Sequence, residues 1–226
     1  MALPQSTGNK HTEAYDQKLR EILHVAARIM ADRGYHRASI RSLAAETDMT
    51  LAGLYYYFKS KEELLFLIQH STFDCLVTSL MERLPGVEDP VAKLNLMVRN
   101  HLDFFIEHMD ELKICAYEIE SLKGDYYEKV AGKRREYFQL AHDVVRELIE
   151  KGTAKGVDSR LATLSLFGTL NWIFMWYEPG KYAGSEEMSQ QLTRLYLHGL
   201  AGGFVASVPR HKGEDKGTEG GSGKHG

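Results

Sequence analysis

The sequence has 226 residues, of which 43% are hydrophobic and 26% charged, as is ordinary for a globular protein. Its two cysteines, Cys75 and Cys115, are too few for a disulfide framework, which fits a reducing cytoplasm. No uninterrupted apolar run approaches the roughly 18–20 residues that span a bilayer, and residues 1–10 lack the apolar core of a signal peptide. We therefore expect a cytoplasmic protein with no membrane partner. Only five prolines interrupt long stretches rich in Lys, Glu, Leu and Ala, which favours an all-α fold.

The formal net charge of −3 is unevenly distributed along the chain. Residues 1–61 contain nine Lys and Arg against six Asp and Glu, a balance of +3, so the remaining residues carry −6. An excess of positive charge attracts the phosphates of nucleic acid. A basic N-terminal segment before an acidic body indicates a DNA-binding protein with a second function in the rest of the chain.

The first predicted helix covers Tyr15–Arg33 and ends at Gly34, a residue suited to a C-terminal cap. Its apolar stripe at helical spacing consists of Leu19, Leu23, Ala26 and Met30. Ser39 is a typical N-cap for a second, short helix, and Thr50 is one for a third helix that ends near Phe58. Two short helices joined by a tight turn and preceded by a longer one predict a helix-turn-helix.

A long fourth helix is predicted from Ser60, which begins a capping box with Glu63, to about Leu84. Beyond Pro85-Gly86 the helical pattern continues in segments separated by Gly or Pro. These predicted helices are Pro90–Met109, Glu111–Leu122, Tyr126–Lys151, Ser159–Tyr177 and Ser185–Ala206. The sequence from Pro209 has almost no apolar residues, which predicts disorder. We therefore expect a DNA-binding domain at residues 1–62, a second helical domain at 63–208 and a tail at 209–226.

The run from Ser39 to Lys61 closely resembles the N-terminal motif of the tetracycline-repressor family, and the resemblance extends over about residues 15–65. Its anchors are a hydroxyl residue before the second helix, Leu-Ala within it, Leu-Tyr-x-Tyr-Phe in the third helix and Ser-Lys-Glu at the fourth. Two positions depart from the family pattern. Asp48 replaces the usual turn glycine but tolerates the left-handed conformation, and Gly53 replaces a small hydroxyl residue.

A recognition helix needs small side chains at its N-terminus to approach base edges, while hydroxyl and cationic side chains reach phosphates. Lys61 adds an ammonium to the free N–H groups of a helix N-terminus. The predicted DNA-binding residues are Ser39, Arg41, Thr50, Leu51, Ala52, Gly53, Tyr55, Tyr56, Tyr57 and Lys61. The alternative for the tyrosines is ordinary packing within a three-helix core.

The resemblance also implies that the last two helices build a dimeric four-helix bundle. Small and apolar residues recur at heptad-like spacing along the final helix, and the preceding helix has a similar stripe. The predicted homodimer residues are Leu164, Gly168, Met188, Leu192, Leu195, Gly199 and Gly202. A seam within one protomer is the alternative.

The other face of the penultimate helix and several earlier helices are dense in aromatic residues, which suits a cavity for a hydrophobic small molecule. The predicted effector-binding residues are Phe104, Phe105, His108, Tyr117, Tyr137, Asn171, Trp172, Met175 and Trp176. The stretch 166–180 is similar to a branch of the family that controls fatty-acid or steroid catabolism and responds to acyl-coenzyme A thioesters. A basic cluster on one helix is suited to the coenzyme A phosphates: Lys129, Lys133, Arg134 and Arg135. Ordinary core packing of the aromatics remains an alternative.

Two other functions are alternatives to an acyl-coenzyme A response. A multidrug or aromatic-compound sensor controlling an efflux gene needs acidic residues in its pocket, and Glu118 or Glu120 would supply them. An enzyme is the second alternative, since His101 and His108 share a helix face with carboxylates nearby. Because no compact metal-ligand motif or nucleophile–base pair accompanies them, we expect no catalytic residue, metal or cofactor.

Overall fold

The computed structural model describes residues 7–153, 156–182 and 184–201 of the chain. These residues form α-helices and two 3-10 turns but no strand, so the predicted all-α fold is confirmed. The α-helices are α1 (Thr7–Arg33), α2 (Ile40–Glu46), α3 (Leu51–Tyr55), α4 (Lys61–Arg83), α5 (Pro90–Glu107), α6 (Met109–Tyr117), α7 (Gly124–Glu150), α8 (Ser159–Asn171) and α9 (Ser185–Ala201). The 3-10 turns are Ile119–Ser121 and Ile173–Met175.

The predicted N-caps begin the N-terminal helices as expected. Oγ of Ser39 accepts a hydrogen bond from the amide of Ser42, and Oγ1 of Thr50 accepts one from Gly53 at 3.0 Å. Ser60 Oγ accepts from the amide of Glu63 at 3.0 Å, whose carboxylate in turn accepts from the backbone of Lys59. Each cap satisfies an amide that has no partner within its own helix.

The two departures from the family motif have local explanations. Asp48 has φ +52°, so the aspartate adopts the left-handed conformation that the turn requires. A Cβ atom on Gly53 would lie 3.2 Å from Thr50 Oγ1, which is the atom that caps α3. Any larger residue at position 53 therefore crowds the cap unless Thr50 shifts.

The side chains pack into two hydrophobic cores, and α4 contributes to both. The first core holds α1, α2 and α3 on the N-terminal half of α4 and includes Ile22, Leu54 and Phe58. The second core joins the C-terminal half of α4 to α5, α7, α8 and α9. Helix α4 is long and apolar enough to span a membrane by length and composition alone, a property that the continuous apolar-run criterion missed. Most of its apolar residues pack into one of these two cores.

Several predicted helix boundaries are wrong, and three of them differ by five residues or more. Helix α1 begins at Thr7 rather than Tyr15, α6 ends at Tyr117, and α8 ends at Asn171 instead of continuing to residue 177. After α8 the chain forms a 3-10 turn, and Phe174 from that turn packs edge-on against Tyr117 at 5.6 Å between ring centroids. Tertiary contacts of the aromatic residues therefore override the helical pattern of residues 172–177. The predicted tail and the end of the last helix lie outside the described residues.

Direct hydrogen bonds join the two halves of the chain. Nδ1 of His24 in α1 lies 3.0 Å from Oε1 of Glu111 in α6. The amide of Tyr35 donates to Oε1 of Glu118 at 3.2 Å, just beyond α6. Together with the continuous α4, these contacts connect the helix-turn-helix to the C-terminal helices at several points.

Candidate DNA-binding surface and effector cavity

The N-terminal end of α3 and the start of α2 present a continuous set of exposed side chains. Of the predicted DNA-binding residues, those exposed to solvent are Ser39, Arg41, Thr50, Leu51, Ala52, Tyr55 and Tyr56. Gly53, Tyr57 and Lys61 are partly buried. The exposed set combines small side chains at a helix N-terminus with hydroxyl groups and one guanidinium, which is the chemistry that base edges and phosphates require.

The three consecutive tyrosines have different environments. Tyr56 is 65% exposed and Tyr55 is 50% exposed, whereas Tyr57 stacks on Tyr15 with ring centroids 4.9 Å apart. An exposed phenol hydroxyl is free to reach a phosphate. Tyr57 thus has a packing role in this structure, while the other two tyrosines are free to contact a ligand.

Lys61 already has partners within the protein. Its Nζ atom donates to the backbone carbonyl of His36 at 3.1 Å and lies 4.5 Å from the centre of the Tyr35 ring. Burial lowers the pKa of Lys61, an effect opposed by the carboxylate of Glu118. The lysine therefore fastens the loop after α1 to the start of α4, a contact that the sequence did not predict.

Positive charge on this side of the molecule is partly neutralised. Arg28 and Arg33 both approach Glu46, with nitrogen–oxygen distances of 2.6 and 3.6 Å. Arg37, Arg41 and Lys59 are exposed, and they form no ion pair with any residue that the structure describes. These three cations surround the exposed end of the helix-turn-helix and are available to phosphates.

A cavity of about 260 Å³ lies among α4, α5, α6, α7 and α8. It is lined by Phe73, His101, Phe105, Leu112, Cys115, Ala116, Arg134, Tyr137, Phe138, Leu164, Phe167, Gly168 and Asn171. Ala116, Leu164 and Gly168 are exposed, so the cavity reaches solvent between α6 and α8. Its lining is mostly apolar with a few polar groups, as is typical of small-molecule sites.

The polar groups of the cavity are nearly all uncharged. Burial lowers the pKa of His101 to about 3 and raises that of the Cys115 thiol to about 12, so both are neutral near pH 7. Arg134 is the one charged group among the lining residues that the structure describes, and its guanidinium lies 5.7 Å from the centre of the Phe73 ring. The guanidinium of Arg160 likewise lies 5.5 Å from the centre of the Phe138 ring. Cationic groups thus flank an otherwise neutral cavity.

The structure brings only part of the predicted effector set into this cavity. Phe105, Tyr137 and Asn171 line it, whereas Phe104 and His108 line a separate groove beside Cys75. Tyr117, at the end of α6, and Met175 line another groove beside α1. Trp172 and Trp176 are exposed, and like Met175 they follow the end of α8 at Asn171. Leu112 and Phe73 also line the cavity but were not predicted to, since their shared position depends on how five helices pack.

Most of the predicted phosphate-binding residues and the predicted acidic residues do not line the cavity. Lys133 is paired with Asp74 at 2.8 Å and with Glu136 at 3.2 Å, so of the four basic residues Arg134 is the one that lines the cavity. Glu118 accepts hydrogen bonds from the Tyr35 amide and the Ser121 hydroxyl. No acidic residue is among those described around the cavity.

Helices α8 and α9 leave apolar side chains in solvent. Leu195 is 68% exposed, Leu164 is 51% exposed and Trp172 is 53% exposed, and Gly199 is exposed as well. Leu161, which the sequence analysis did not select, is 61% exposed on the same helix as Leu164.

Two predicted dimer residues have a different role. Met188 is buried in the core of the protomer and Leu192 packs against that core, because the first half of α9 lies on α5. For these two positions the alternative of a seam within one protomer is correct. Gly202 lies outside the described residues.

The metal-site alternative has no geometric support. His101 is enclosed in the cavity, while Nδ1 of His108 lies 2.8 Å from the carbonyl oxygen of Phe104. Within residues 7–153, 156–182 and 184–201, no three His, Cys, Asp or Glu side chains are placed to hold a metal ion.

Two protein-family models match the chain. Residues 22–68 match the family described as bacterial regulatory proteins, tetR family, and residues 87–200 match the tetracyclin repressor-like C-terminal domain. Among curated proteins, the repressor KstR2 of Mycolicibacterium smegmatis is 25% identical over 185 residues, which cover 80% of this chain and 89% of that protein. The fatty acid metabolism regulator protein of Bacillus subtilis is 23% identical over 155 residues, covering 68% of this chain and 80% of that protein.

Solved structures share the fold along most of the chain. The regulator PfmR of Thermus thermophilus has a TM-score of 0.71 and 29% identity, covering 79% of this chain and 98% of that one. AibR, solved in complex with isovaleryl coenzyme A and operator DNA, has a TM-score of 0.70 and 26% identity, with coverage of 78% and 96%. With the helix-turn-helix and the helical C-terminal domain both matched, the chain belongs to the tetracycline-repressor family and is a transcriptional regulator, not an enzyme.

Proposed function

We propose that this regulator is a repressor that binds a palindromic operator as a homodimer and releases it when an acyl-coenzyme A thioester occupies the cavity. In this proposal residues 1–62 bind DNA, residues 63–208 bind the effector and form the dimer, and residues 209–226 are a tail.

The DNA-binding step is supported by the exposed end of α3. Ala52 and Leu51 offer apolar contacts to a thymine methyl, and Tyr55 and Tyr56 offer hydroxyls to phosphates. Arg41 is exposed at the start of α2, within reach of a guanine edge or a phosphate. In a symmetric dimer two such helices enter successive major grooves about 34–36 Å apart, which requires a palindromic site.

The dimer step is supported by the apolar surface of α8 and α9. Leu161, Leu164 and Leu195 are each more than half exposed, and exposed apolar side chains that form a patch mark protein interaction surfaces. No atom of the described residues lies within 4 Å of where a Cβ of Gly199 would stand, so a partner helix has room to approach closely at this point. In a dimer with a two-fold axis beside α8 and α9, the same surface of the partner subunit covers these residues.

The charge of the cavity carries the effector assignment. The described lining residues are apolar or neutral apart from Arg134. Such a lining suits an acyl chain joined to an anionic carrier. An aromatic cation, as a multidrug sensor binds, lacks an acidic partner among the described lining residues. The relatives named for fatty acid metabolism and the structure of AibR with isovaleryl coenzyme A favour the same class.

Release follows if the effector binds one arrangement of the helices better than the other. Phe73 of the cavity and Lys61 beside the recognition helix both belong to α4, so a ligand that displaces α4 also moves the helix-turn-helix. A bias of roughly 1–3 kcal/mol is typical for such coupling.

The DNA and dimer steps are tested together by selecting binding sites from random double-stranded DNA. We expect enrichment of a two-fold symmetric sequence, and enrichment of an asymmetric site would contradict the proposal. The effector step is tested by calorimetric titration with octanoyl-coenzyme A, octanoate, coenzyme A and the aromatic cation ethidium. Binding of ethidium but not the thioester favours the multidrug alternative.

A further inference from the structure

The most unusual polar group of the cavity is the imidazole of His101. It is 2% exposed, and its Nε2 atom has no hydrogen-bond partner among residues 7–153, 156–182 and 184–201. The ring lies between Phe105 and Phe167, with centroid distances of 4.6 and 6.0 Å. An unsatisfied nitrogen buried among aromatic rings is unfavourable, so a ligand group that pairs with it gains affinity.

The partner of the other ring nitrogen bears on which hydrogen Nε2 carries. The phenol oxygen of Tyr137 lies 3.5 Å from Nδ1 of His101. Burial raises the pKa of Tyr137, so the phenol keeps its proton near pH 7 and can donate it. When the phenol donates this proton to Nδ1, the neutral imidazole carries its own hydrogen on Nε2.

We propose that Nε2–H of His101 donates a hydrogen bond to a carbonyl oxygen of the effector inside the cavity. This inference rests on the proposed acyl-coenzyme A response and adds the recognition group. A carbonyl oxygen accepts without bringing a charge, whereas a free carboxylate costs far more to bury. The acceptor is either the thioester carbonyl or a ketone on the acyl chain.

The volume of the cavity limits the ligand. At about 30 Å³ for each water-sized group, 260 Å³ holds roughly nine such groups, which matches an acyl chain of about eight carbons. We therefore choose octyl compounds as probes. Their three forms are octanoyl-coenzyme A, S-octyl-coenzyme A without a carbonyl, and S-(2-oxooctyl)-coenzyme A with a ketone one carbon farther along.

The test measures the dissociation constants of these three compounds for the full chain by calorimetry. We expect at least one carbonyl compound to bind roughly ten to one hundred times more tightly than S-octyl-coenzyme A. Which of the two carbonyl compounds binds better identifies the source of the acceptor. Equal binding of all three overturns the inference and leaves the acyl-coenzyme A proposal intact. Binding of none of them overturns both.

Variants test whether the His101 imidazole causes the preference for compounds with a carbonyl group. His101→Phe keeps an aromatic ring but has no donor, so it should bind all three compounds with similar affinity. Tyr137→Phe releases the constraint on Nδ1 and should reduce the preference. His70→Phe is the matched control, since His70 lies on α4 outside the cavity lining, and it should retain the full preference. Retention of the full preference in His101→Phe contradicts the inference, and the wild-type comparison remains decisive if that variant does not fold.

Discussion

Nδ1 of His24 in α1 lies 3.0 Å from Oε1 of Glu111 in α6, so a hydrogen bond joins the DNA-binding helices to a helix that lines the cavity. Glu111 is 7% exposed and its Oε2 has no partner, whereas the His24 side chain is largely in solvent. The carboxylate therefore depends on His24 for a side-chain hydrogen bond. A contact of this kind makes the interface between the two halves sensitive to single substitutions.

Replacing His24 by alanine should reduce the free energy of unfolding by about 1–2 kcal/mol, because it removes a hydrogen-bond partner from a buried carboxylate. Urea denaturation followed by circular dichroism measures this change. Glu128→Ala, at an exposed position on α7, is the control and should alter stability by less than about 0.5 kcal/mol. Equal stabilities of wild type and His24→Ala would show that the hydrogen bond contributes nothing.

Lys61 is predicted to contact operator phosphate in addition to its contacts with His36 and Tyr35. Lys61→Met retains the alkyl packing on Tyr35 but removes the charge, so stability should change little while affinity for all DNA sequences falls. The slope of the logarithm of affinity against the logarithm of salt concentration should decrease by about one unit. Fluorescence anisotropy in a salt series measures it. An unchanged slope would assign Lys61 a structural role alone.

Gly199→Leu tests the dimer surface. Because a Cβ at this position meets no atom within 4 Å, the leucine leaves the protomer intact but obstructs a partner helix. We expect the dimer to dissociate at least tenfold more readily in sedimentation equilibrium, and Leu195→Glu should have the same effect. Met81→Glu replaces an apolar residue on α4 that is 54% exposed and should leave the dimer unaffected. A monomeric wild-type protein would refute the dimer.

The stability of the protein should depend on pH through His101. Burial lowers its pKa to about 3 in the folded state, whereas the pKa of an unfolded histidine is about 6.5. Between these values the unfolded chain binds the proton, so stability is full above pH 6.5 and is lost as the pH falls towards 3. Between pH 7 and 5.5 wild type should lose about 1 kcal/mol more than His101→Phe in urea denaturation. Parallel losses in the two proteins would contradict this assignment.

The N-terminal half of the fold follows closely from local signals. Ser39, Thr50 and Ser60 are N-caps whose partners lie three residues away, and Asp48 occupies the left-handed turn position. Such features depend on short-range hydrogen bonds and backbone sterics, which a sequence displays directly.

The cavity depends instead on long-range packing. Residues 172–177 have a helix-compatible pattern with no Gly or Pro before Pro179, so nothing in the sequence indicates that α8 ends at Asn171. The predicted aromatics beyond that point consequently lie outside the cavity. His101 was visible in the sequence, but its burial and its Tyr137 neighbour required the placement of α7 against α5.

The most direct test of the proposed repressor is release of DNA by its effector. A fluorescent palindromic operator, bound by the full chain, is titrated with octanoyl-coenzyme A, octanoate and coenzyme A while anisotropy is recorded. We predict that the thioester releases the operator at concentrations at which the two other compounds do not. Failure of acyl-coenzyme A thioesters of any chain length to release the operator, with release by an aromatic cation, would contradict the account.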